Sequence, residues 1–393
     1  MKRVAVLGGG PAGCFAAMRL ASAGLDVAVF DEKLAWEKPC GGGLTYKAYQ
    51  RYPFLLENDR PKRFVHETFI AAPGVGVSKM ALREPMLIYS RFDLNNLLLE
   101  RAEKAGARIE KARVTEMTRS GSGWRLRTSA GMLEADFCVV ATGARNSFRE
   151  VGTQWTAADT MHAMGYYVPA EQAHIDIQFL PQLEGYIWVF PRCGHLSVGI
   201  CGKREPAQKL RTRLESYMQE HGMASKGACF YSHMLPSLDS PGWTNNRVAG
   251  PGWMAVGDAA GLVDPVTGEG IYYAMRSGDL AGEVLLAEDS SPAEKHHVYR
   301  ALLARDFTAD LEFGARLARC LFLGRFLWGS VPARMVQIIR RSPKFHELMQ
   351  DLVAGTQSYA GLKSRLFRNM NGTFLDIVLN FLLTKFVPGE SRV

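Results

Sequence analysis

VAVLGGGPAGCFAAMRLASAGLDVAVFD, residues 4–31, is the stretch that decides the fold of this chain. Two valine-rich runs predict buried strands, and the alanine-rich segment between them predicts a helix that begins at a glycine loop. Gly8, Gly10 and Gly13 give that loop the pattern GxGxxG. Such glycines permit a tight turn, a close approach of the backbone to a pyrophosphate, and close packing of the helix on the strand. The stretch therefore predicts a Rossmann-like dinucleotide-binding unit with phosphates at the helix N-terminus.

An acidic residue ends the second strand of this unit. Asp31 follows Gly13 by 18 residues, the position from which a carboxylate binds a ribose hydroxyl. A GxGxxG pattern alone also occurs in ordinary glycine-rich turns. Here the strand, the loop, the helix, the second strand and the acid occur in the expected order, which favours the dinucleotide site.

A second glycine-rich region lies far downstream. Residues 257–261 read GDAAG after a short apolar run, and residues 265–271 read PVTGEGI. An aspartate after a buried strand, here Asp258, can bind the ribityl hydroxyls of a flavin, and glycines that open the next helix let backbone N–H groups approach the flavin ring. GDAAG by itself is a common helix start. Paired with the first loop it favours FAD over NAD, because an ordinary NAD dehydrogenase does not require a second half-site.

Composition argues against several classes of protein. The chain has 393 residues, 47% hydrophobic and 22% charged, which is typical of a globular protein of about two or three domains. Seven cysteines without a CxxC pair, and histidines without metal-ligand spacing, argue against a disulfide framework and a metal site. We expect no signal peptide, and no apolar run approaches the roughly 20 residues that span a bilayer. The expected location is therefore the cytoplasm.

The positive charge is concentrated in the C-terminal part of the chain. The net charge is +8, and residues 313–393 contain 12 lysines and arginines against 4 acidic residues. Interspersed apolar stretches favour an anionic membrane surface over nucleic acid as the partner. Residues 373–386 fit a helix with a narrow polar stripe that is too short to cross a bilayer. We expect peripheral association with the inner face of the cell membrane; a basic helical subdomain packed on its own body is the alternative.

These patterns predict a mixed α/β fold in which a Rossmann-like FAD-binding domain is interrupted by a β-sheet substrate domain and followed by a C-terminal helical region. Helices are expected at 91–105, 206–221 and 270–287. The predicted boundaries are 1–63, 85–152 and 246–290 for the FAD-binding domain, 64–84 and 153–245 for the substrate domain, and 291–393 for the basic and apolar helical region.

GYIWVFP, residues 185–191, predicts a strand with an unusual distribution of aromatic side chains. Alternation along a strand puts Tyr186, Trp188 and Phe190 on one face of the sheet and the intervening aliphatic residues on the other. Core packing is one interpretation, because aromatic residues favour strands and fill sheet cores. The other interpretation is a flat apolar wall that faces a substrate.

The paired glycine regions resemble the large class of FAD proteins with the p-hydroxybenzoate hydroxylase type of fold. Within that class the chain is similar to the geranylgeranyl reductase family. The similarity is carried by KPCGGGL at 38–44, GYIWVFP at 185–191 and DPVTGEGIYYAM at 264–275. These motifs occur in the family's order, and the resemblance covers roughly residues 1–290. Asp31 stands where a glutamate is more usual, and the region beyond about residue 290 matches no motif of the family.

The resemblance implies which residues contact a non-covalently bound FAD. They are Gly8, Gly10, Ala12, Gly13, Asp31, Cys40, Gly41, Gly43, Arg91, Val114, Asp258, Gly268, Gly270 and Ile271. For Arg91, an exposed arginine at a helix cap is the alternative. The resemblance also implies that Tyr186 and Trp188 line a substrate cavity, so that Cys40, Tyr186 and Trp188 are the candidate catalytic residues. Two interpretations of Cys40 stay open: it supplies a proton, or it fills space beside the flavin.

The resemblance implies an FAD-dependent reductase that saturates C=C bonds of a hydrophobic polyprenyl lipid. Hydride goes to one alkene carbon and a proton to the other, and aromatic faces stabilise the developing charge by roughly 0.5–2 kcal/mol each. NAD(P)H or ferredoxin is the expected external reductant, and the oligomeric state is left open. The alternatives are a flavin monooxygenase or halogenase, a quinone-linked electron-transfer flavoprotein, and a non-enzymatic FAD-binding module.

Overall fold

The computed structural model describes residues 3–148, 150–223, 226–288 and 294–368. These residues form two compact units. The first unit contains the described residues within 1–38, 90–161 and 234–315, and the second contains those within 39–89, 162–233 and 316–393. This division differs from the three predicted domains, since residues 39–63 join the second unit and residues 294–315 join the first; the three-domain division stays a prediction. The helix expected at 373–386 lies outside the described residues.

Nineteen strands occur in the described part of the chain. In chain order they are β1 (Arg3–Leu7), β2 (Asp26–Phe30), β3 (Gly43–Leu44), β4 (Lys62–Ala72), β5 (Gly76–Tyr89), β6 (Arg108–Glu110), β7 (Val114–Ser120), β8 (Gly123–Thr128), β9 (Gly131–Ala135), β10 (Phe137–Val140), β11 (Thr160–Val168), β12 (Ile175–Phe179), β13 (Glu184–Arg192), β14 (His195–Lys203), β15 (Cys229–Pro236), β16 (Ala249–Gly250), β17 (Trp253–Ala255), β18 (Arg325–Phe326) and β19 (Gly329–Ser330).

Eleven α-helices occur in the same residues, and those predicted at 91–105, 206–221 and 270–287 are confirmed as α3, α4 and α6. The helices are α1 (Pro11–Ser22), α2 (Tyr46–Arg51), α3 (Arg91–Lys104), α4 (Ala207–Glu220), α5 (Ser240–Thr244), α6 (Ile271–Leu286), α7 (Lys295–Leu303), α8 (Ala309–Leu323), α9 (Val331–Arg341), α10 (Pro343–Ala354) and α11 (Tyr359–Arg368). Short 3-10 turns occur at Pro53–Leu55 and Gly257–Ala260, and a π-helical turn at Ala304–Thr308 joins α7 to α8.

The first unit is built on a six-stranded sheet of order β16-β17-β10-β1-β2-β6. β1 pairs in parallel with β2 and β10, and β17 pairs in parallel with β10. Residues 4–7 of β1 are buried, as expected for the centre of a parallel sheet with both faces covered. β7, β8 and β9 form a separate three-stranded sheet. The Rossmann-like, mixed α/β fold predicted from the sequence is confirmed.

Glycines set the contact between α1 and α6 in the first unit. A Cβ atom at Gly278 would lie 2.1 Å from the carbonyl oxygen of Ala12, and one at Gly282 would lie 2.9 Å from the Cβ of Arg19. Neither residue can therefore carry a side chain without moving α6 away from α1. The helix that follows the second glycine region is thereby held directly against the helix that follows the first.

The second unit is built on an eight-stranded sheet of order β15-β11-β14-β13-β12-β4-β5-β3. β12 pairs in parallel with β4, whereas the β13–β14 and β4–β5 pairs are antiparallel. Ile187 and Val189 of β13 are fully buried with Leu210 and Leu214 of α4 in one hydrophobic cluster. One face of β13 is thus core. On its aromatic face Phe190 packs against a smaller hydrophobic cluster, so Tyr186 and the buried Trp188 remain as the candidate functional surface.

The described C-terminal region, residues 294–368, is mainly helical and also contains the β18–β19 hairpin. Within the second unit, α9 and α10 pack against β5, and α9 also contacts β4. In the described ranges, none of the helices combines the length and the apolar character that crossing a membrane requires.

We expect Gly278→Ala to lower the free energy of unfolding by about 1–3 kcal/mol, the typical cost of overpacking a tight contact. The loss should occur even though alanine is the better helix former by about 1 kcal/mol. Urea unfolding followed by circular dichroism measures it. The control is Glu283→Ala on the same helix, whose half-exposed side chain should contribute less than about 0.5 kcal/mol. Equal stability of the two variants would contradict the packing argument.

Candidate functional site

The glycine loop after β1 is shaped by backbone-to-backbone contacts. Gly8 adopts a φ of +120°, and a Cβ atom there would lie 2.2 Å from the carbonyl oxygen of Ala141. A Cβ atom at Gly13 would lie 2.0 Å from the carbonyl oxygen of Gly8. In contrast, among the described residues and apart from its chain neighbours, nothing lies within 4 Å of the Cβ position of Gly10. The first and third glycines therefore serve packing, and the second leaves open space where α1 begins.

Asp31 organises this loop through main-chain hydrogen bonds. Its Oδ2 accepts from the backbone N–H of Gly9 at 2.8 Å, and its Oδ1 accepts from Lys33 and Leu34, each at 2.8 Å. Two carboxylate oxygens offer about four acceptor positions, so capacity remains for one ribose hydroxyl. The predicted ribose contact of Asp31 stays a prediction, and the carboxylate has a structural role that the sequence pattern did not indicate.

Several polar groups meet at the carboxyl edge of the first unit's sheet, because the ends of parallel strands lie on one side. Thr142 follows β10, and its buried Oγ1 has no hydrogen-bond partner among the described residues. Asp258 follows β17, and its Oδ2 lies 3.0 Å from Nζ of Lys38. Sequence analysis missed Thr142, although the ATG that follows a buried strand, residues 141–143, is a signal that points to it.

Arg91 is buried, with 4% of its surface exposed, which contradicts the alternative of an exposed cap. Its Nη2 donates to Oδ1 of Asn95 at 3.2 Å, and its Nε has no hydrogen-bond partner in the described part of the chain. The start of α3 is held by Glu37, whose carboxylate accepts from the backbone N–H of Arg91 at 3.0 Å. A buried guanidinium with an unused donor is costly unless a ligand pairs with it.

The second glycine region forms a closed turn before α6. Oδ1 of Asp264 accepts from the backbone N–H of Val266 at 2.8 Å and of Thr267 at 3.0 Å. Gly268 adopts a φ of +72°, and Gly270 is the N-cap of α6 without any side-chain cap. The first N–H groups of α6, which begins at Ile271, are therefore not bonded by a side-chain cap.

These features fit FAD in the first unit. α1, like α6, lacks a side-chain cap and an acidic residue in its first turn, as required where a helix N-terminus receives phosphate. The unused donors of Arg91 and Thr142 supply further partners for polar ligand atoms. Ala12 is buried and Val114 is buried on β7; their contacts with FAD stay predictions. Over the described ranges, no cluster of three or more His, Cys, Asp and Glu side chains is suited to a metal.

In the second unit, buried Arg192 holds the loop that begins at Cys40. Its Nη2 donates to the carbonyl oxygen of Cys40, and its Nε donates to that of Gly41 at 3.1 Å. The guanidinium also lies over the ring of Tyr167, 5.7 Å from the centroid. Sequence analysis missed Arg192, although a charged residue that ends an apolar strand is itself a signal.

The thiol of Cys40 and the glycines after it are tightly held. The backbone N–H of Gly42 donates to Sγ of Cys40 at 3.0 Å. Gly42 adopts a φ of +83°, and a Cβ atom there would lie 2.3 Å from the carbonyl oxygen of Tyr89. Phe190 lies over the loop, 3.1 Å from the Cβ position of Gly41 and 2.9 Å from that of Gly43. The predicted FAD contacts of Cys40, Gly41 and Gly43 stay predictions.

A buried hydroxyl links this loop to the aromatic strand. Oγ of Ser197 donates to the carbonyl oxygen of Cys40 at 3.0 Å and lies 2.9 Å from the hydroxyl of Tyr231. Nε1 of Trp188 donates to the same Oγ at 3.4 Å. Burial raises the pKa of Tyr231, so its phenol stays protonated at neutral pH. Neither Ser197 nor Tyr231 was predicted from the sequence.

The aromatic face of β13 has the predicted alternation. The rings of Tyr186 and Trp188 lie edge to face with centroids 6.3 Å apart. Phe322 of α8 stacks on Tyr186 at 6.4 Å with an interplanar angle of 16°. A Cβ atom at Gly199 would lie 2.2 Å from the Trp188 ring. The indole therefore occupies the space that a side chain at residue 199 would need. Phe190 belongs to the same face but covers the Cys40 loop.

Comparisons with known proteins agree with this geometry. Residues 2–151 match the family described as pyridine nucleotide-disulphide oxidoreductase. A menaquinone reductase of Mycolicibacterium smegmatis is 30% identical over 373 residues, covering 84% of this chain and 87% of that protein. The chloroplastic geranylgeranyl diphosphate reductase of Arabidopsis thaliana is 27% identical, covering 72% of this chain and 65% of that protein.

Two solved structures resemble the whole chain. A geranylgeranyl bacteriochlorophyll reductase-like protein from Thermoplasma acidophilum has a TM-score of 0.75 and 21% identity, covering 98% of this chain and 99% of that chain. A flavin-dependent brominase has a TM-score of 0.70 and 16% identity, covering 95% of this chain and 98% of that chain. At these identities the likeness shows a common fold alone.

We expect Asp258→Ala to weaken FAD binding by about 1.5–3 kcal/mol, because it removes a charged hydrogen-bond acceptor at the carboxyl edge. Flavin absorbance per protein after gel filtration, and titration of the apoprotein with FAD, measure the loss. The control is Asp26→Ala at the amino end of β2, where the carboxylate pairs with Arg108 at 2.5 Å. Equal FAD loss in both variants would show a general loss of stability instead.

We expect Arg192→Met to lower the free energy of unfolding by about 2–4 kcal/mol, because the carbonyl groups of Cys40 and Gly41 lose their buried donors. The loop should also loosen, so that a thiol reagent modifies Cys40 faster, as measured by peptide mass spectrometry. The control is Arg213→Met on α4, a half-buried arginine that donates to the carbonyl oxygen of Pro181 at 3.1 Å. Unchanged Cys40 reactivity would mean that Arg192 does not hold the loop.

Proposed function

The chain belongs to the geranylgeranyl reductase family of FAD-dependent oxidoreductases, and from that premise we propose that it saturates C=C bonds of a polyprenyl lipid. One observation carries the proposal: the hydroxyl of Ser197 contacts both the Cys40 carbonyl and Trp188 of the aromatic strand. A candidate proton donor and an apolar aromatic surface are thus joined within the second unit. Menaquinone and geranylgeranyl diphosphate, named in the relatives, both carry polyprenyl chains, which supports this substrate class.

Saturation of an isolated alkene needs a hydride at one carbon and a proton at the other. Bound FAD, once reduced, supplies the hydride. In this proposal Cys40 holds the proton at Sγ and delivers it to the second carbon. The N–H of Gly42 already donates to Sγ, and the guanidinium of Arg192 lies beside the loop. Both stabilise the thiolate that proton delivery leaves.

The aromatic face has two tasks in the proposed reaction. Tyr186 and Trp188 bind the apolar prenyl chain and exclude water, which strengthens electrostatic interactions in the site. Their ring faces also stabilise positive charge that builds on the more substituted carbon, by roughly 0.5–2 kcal/mol each. Because Gly199 has no side chain, the indole of Trp188 lies against the sheet. Its orientation toward the prenyl chain is therefore fixed.

The direct test uses purified protein, which should be yellow with non-covalent FAD. Reduced anaerobically, it is incubated with geranylgeranyl diphosphate or with menaquinone, and mass spectrometry follows gains of two hydrogens per saturated bond. Parallel reactions with NAD(P)H and with reduced ferredoxin identify the reductant. The proposal fails if FAD-loaded protein saturates no prenyl chain under any of these conditions.

The flavin monooxygenase or halogenase remains the second candidate function, supported by the fold shared with the brominase. Oxygen use separates the two reactions. A reductase saturates alkene without stoichiometric oxygen consumption, whereas a monooxygenase or halogenase requires oxygen. A quinone-linked electron-transfer protein would instead reduce a quinone ring and leave its side chain unchanged, which the same mass measurement detects by the position of the added hydrogens.

We expect Cys40→Ala to retain FAD and to slow alkene saturation by at least about tenfold, because a general acid typically contributes about 10²–10⁴-fold to the rate. The control is Cys193→Ala, an exposed cysteine of the same unit that should leave turnover unchanged. Single-turnover rates after anaerobic reduction separate the chemical step from reduction of the flavin. Normal turnover of Cys40→Ala would make the thiol a packing residue and would move the proton source elsewhere.

A further inference from the structure

A short hairpin in the second unit has an unusual tip. β18 and β19 pair antiparallel through Phe326 and Gly329, so that the turn between them is Leu327–Trp328. Both turn residues adopt positive φ, 46° for Leu327 and 60° for Trp328. Such tight turns normally use Asn and Gly, because bulky side chains disfavour this left-handed conformation. Two large apolar residues are therefore placed at the tip against the backbone's own preference.

The tip and its flanks expose apolar surface to solvent. Trp328 is 78% exposed, the highest value among the exposed large hydrophobic residues of the described chain, and Phe326 is 46% exposed. Leu323, at the end of α8, is 40% exposed. Exposed large apolar side chains that lie together mark a surface that binds an apolar partner.

The segment of the chain that contains the tip is strongly basic. Between Glu312 and Glu347 the sequence contains no acidic residue and seven basic residues, namely Arg316, Arg319, Arg325, Arg334, Arg340, Arg341 and Lys344. Six of them are exposed, and Arg334 is half-buried. Exposed tryptophan and phenylalanine in a segment rich in exposed arginine complement a bilayer interface with anionic headgroups.

Arg334 fixes the shape of the tip. Its Nη2 donates to the carbonyl oxygen of Leu327 at 2.6 Å, and its Nε donates to that of Phe326 at 3.4 Å. Ser330 caps α9, since its Oγ accepts from the backbone N–H of Ala333 at 3.3 Å. The hairpin is thus preorganised, and binding through it does not require a flexible loop to become ordered.

We propose that the Leu327–Trp328 tip inserts into the interface of an anionic bilayer and holds the second unit at the membrane surface. Trp328 is suited to this depth, because its ring is apolar and its indole N–H still finds a polar partner among headgroups. Nucleic acid is disfavoured, since the most exposed side chain of the patch is apolar and stands at a tight turn. Phe322, one residue before Leu323, stacks on Tyr186, so α8 connects the membrane surface with the aromatic strand.

The test uses the full-length, FAD-loaded protein and vesicles of phosphatidylcholine, with or without phosphatidylglycerol. In flotation assays the protein should bind the anionic vesicles, and added salt should weaken this binding. Trp328→Ser should lower the partition coefficient at least about tenfold, because it withdraws one large apolar side chain from the bilayer. Arg319→Ser should lower only the preference of the protein for anionic over uncharged vesicles. The control is Met132→Ser on β9, which removes another exposed apolar side chain (58% exposed) outside the tip; this variant should bind as the wild type does.

Three results would overturn the proposal. The first is wild-type binding by Trp328→Ser at unchanged FAD content. The second is a dimer in sedimentation velocity that Trp328→Ser dissociates, which would make a second copy of the chain the occupant of this surface. The third is a duplex oligonucleotide that binds more tightly than the anionic vesicles. Vesicle binding is measured without substrate, so its outcome is independent of the proposed reaction.

Discussion

The buried guanidinium of Arg192 donates to the carbonyl oxygens of Cys40 and Gly41, and the candidate site of the second unit depends on that contact. A buried cation is stable only where hydrogen bonds replace its lost hydration. The loop supplies those bonds, so Arg192 and the loop stabilise each other. Ser197 donates to the same Cys40 carbonyl, and through its hydroxyl Trp188 and Tyr231 are joined to the loop.

The first unit depends on a different constraint: at several positions two backbone segments approach each other so closely that no side chain fits between them. Gly8, Gly13 and Gly278 each hold a place where a Cβ atom would overlap a carbonyl oxygen. This packing brings polar groups to one edge of the sheet and leaves donors of Arg91 and Thr142 buried without protein partners among the described residues. Because such donors are costly when unpaired, cofactor binding should contribute directly to the stability of this unit.

α8 joins the two surfaces of the second unit for which we propose different roles. Phe322 stacks on the aromatic strand, and the exposed hairpin follows a few residues later. A polyprenyl substrate is insoluble in water, so an enzyme that acts on it benefits from a membrane-bound surface close in sequence to its apolar face. Many of the arginines that make the C-terminal part of the chain basic belong to the segment around this hairpin.

Local patterns determined much of this protein: the glycine loop, Asp31, GDAAG, the alternation of β13 and the main helices all follow from spacing and periodicity over a few residues. Tertiary structure alone decided which side chains cooperate. Arg192 and Cys40 are 152 residues apart, and no local pattern encodes their contact. It depends on the register of β13 in the sheet, where a shift of one residue would move Arg192 to the opposite face. The unused donors of Arg91 and Thr142 likewise arise from packing between distant segments, because the burial of a side chain is decided only when the chain folds.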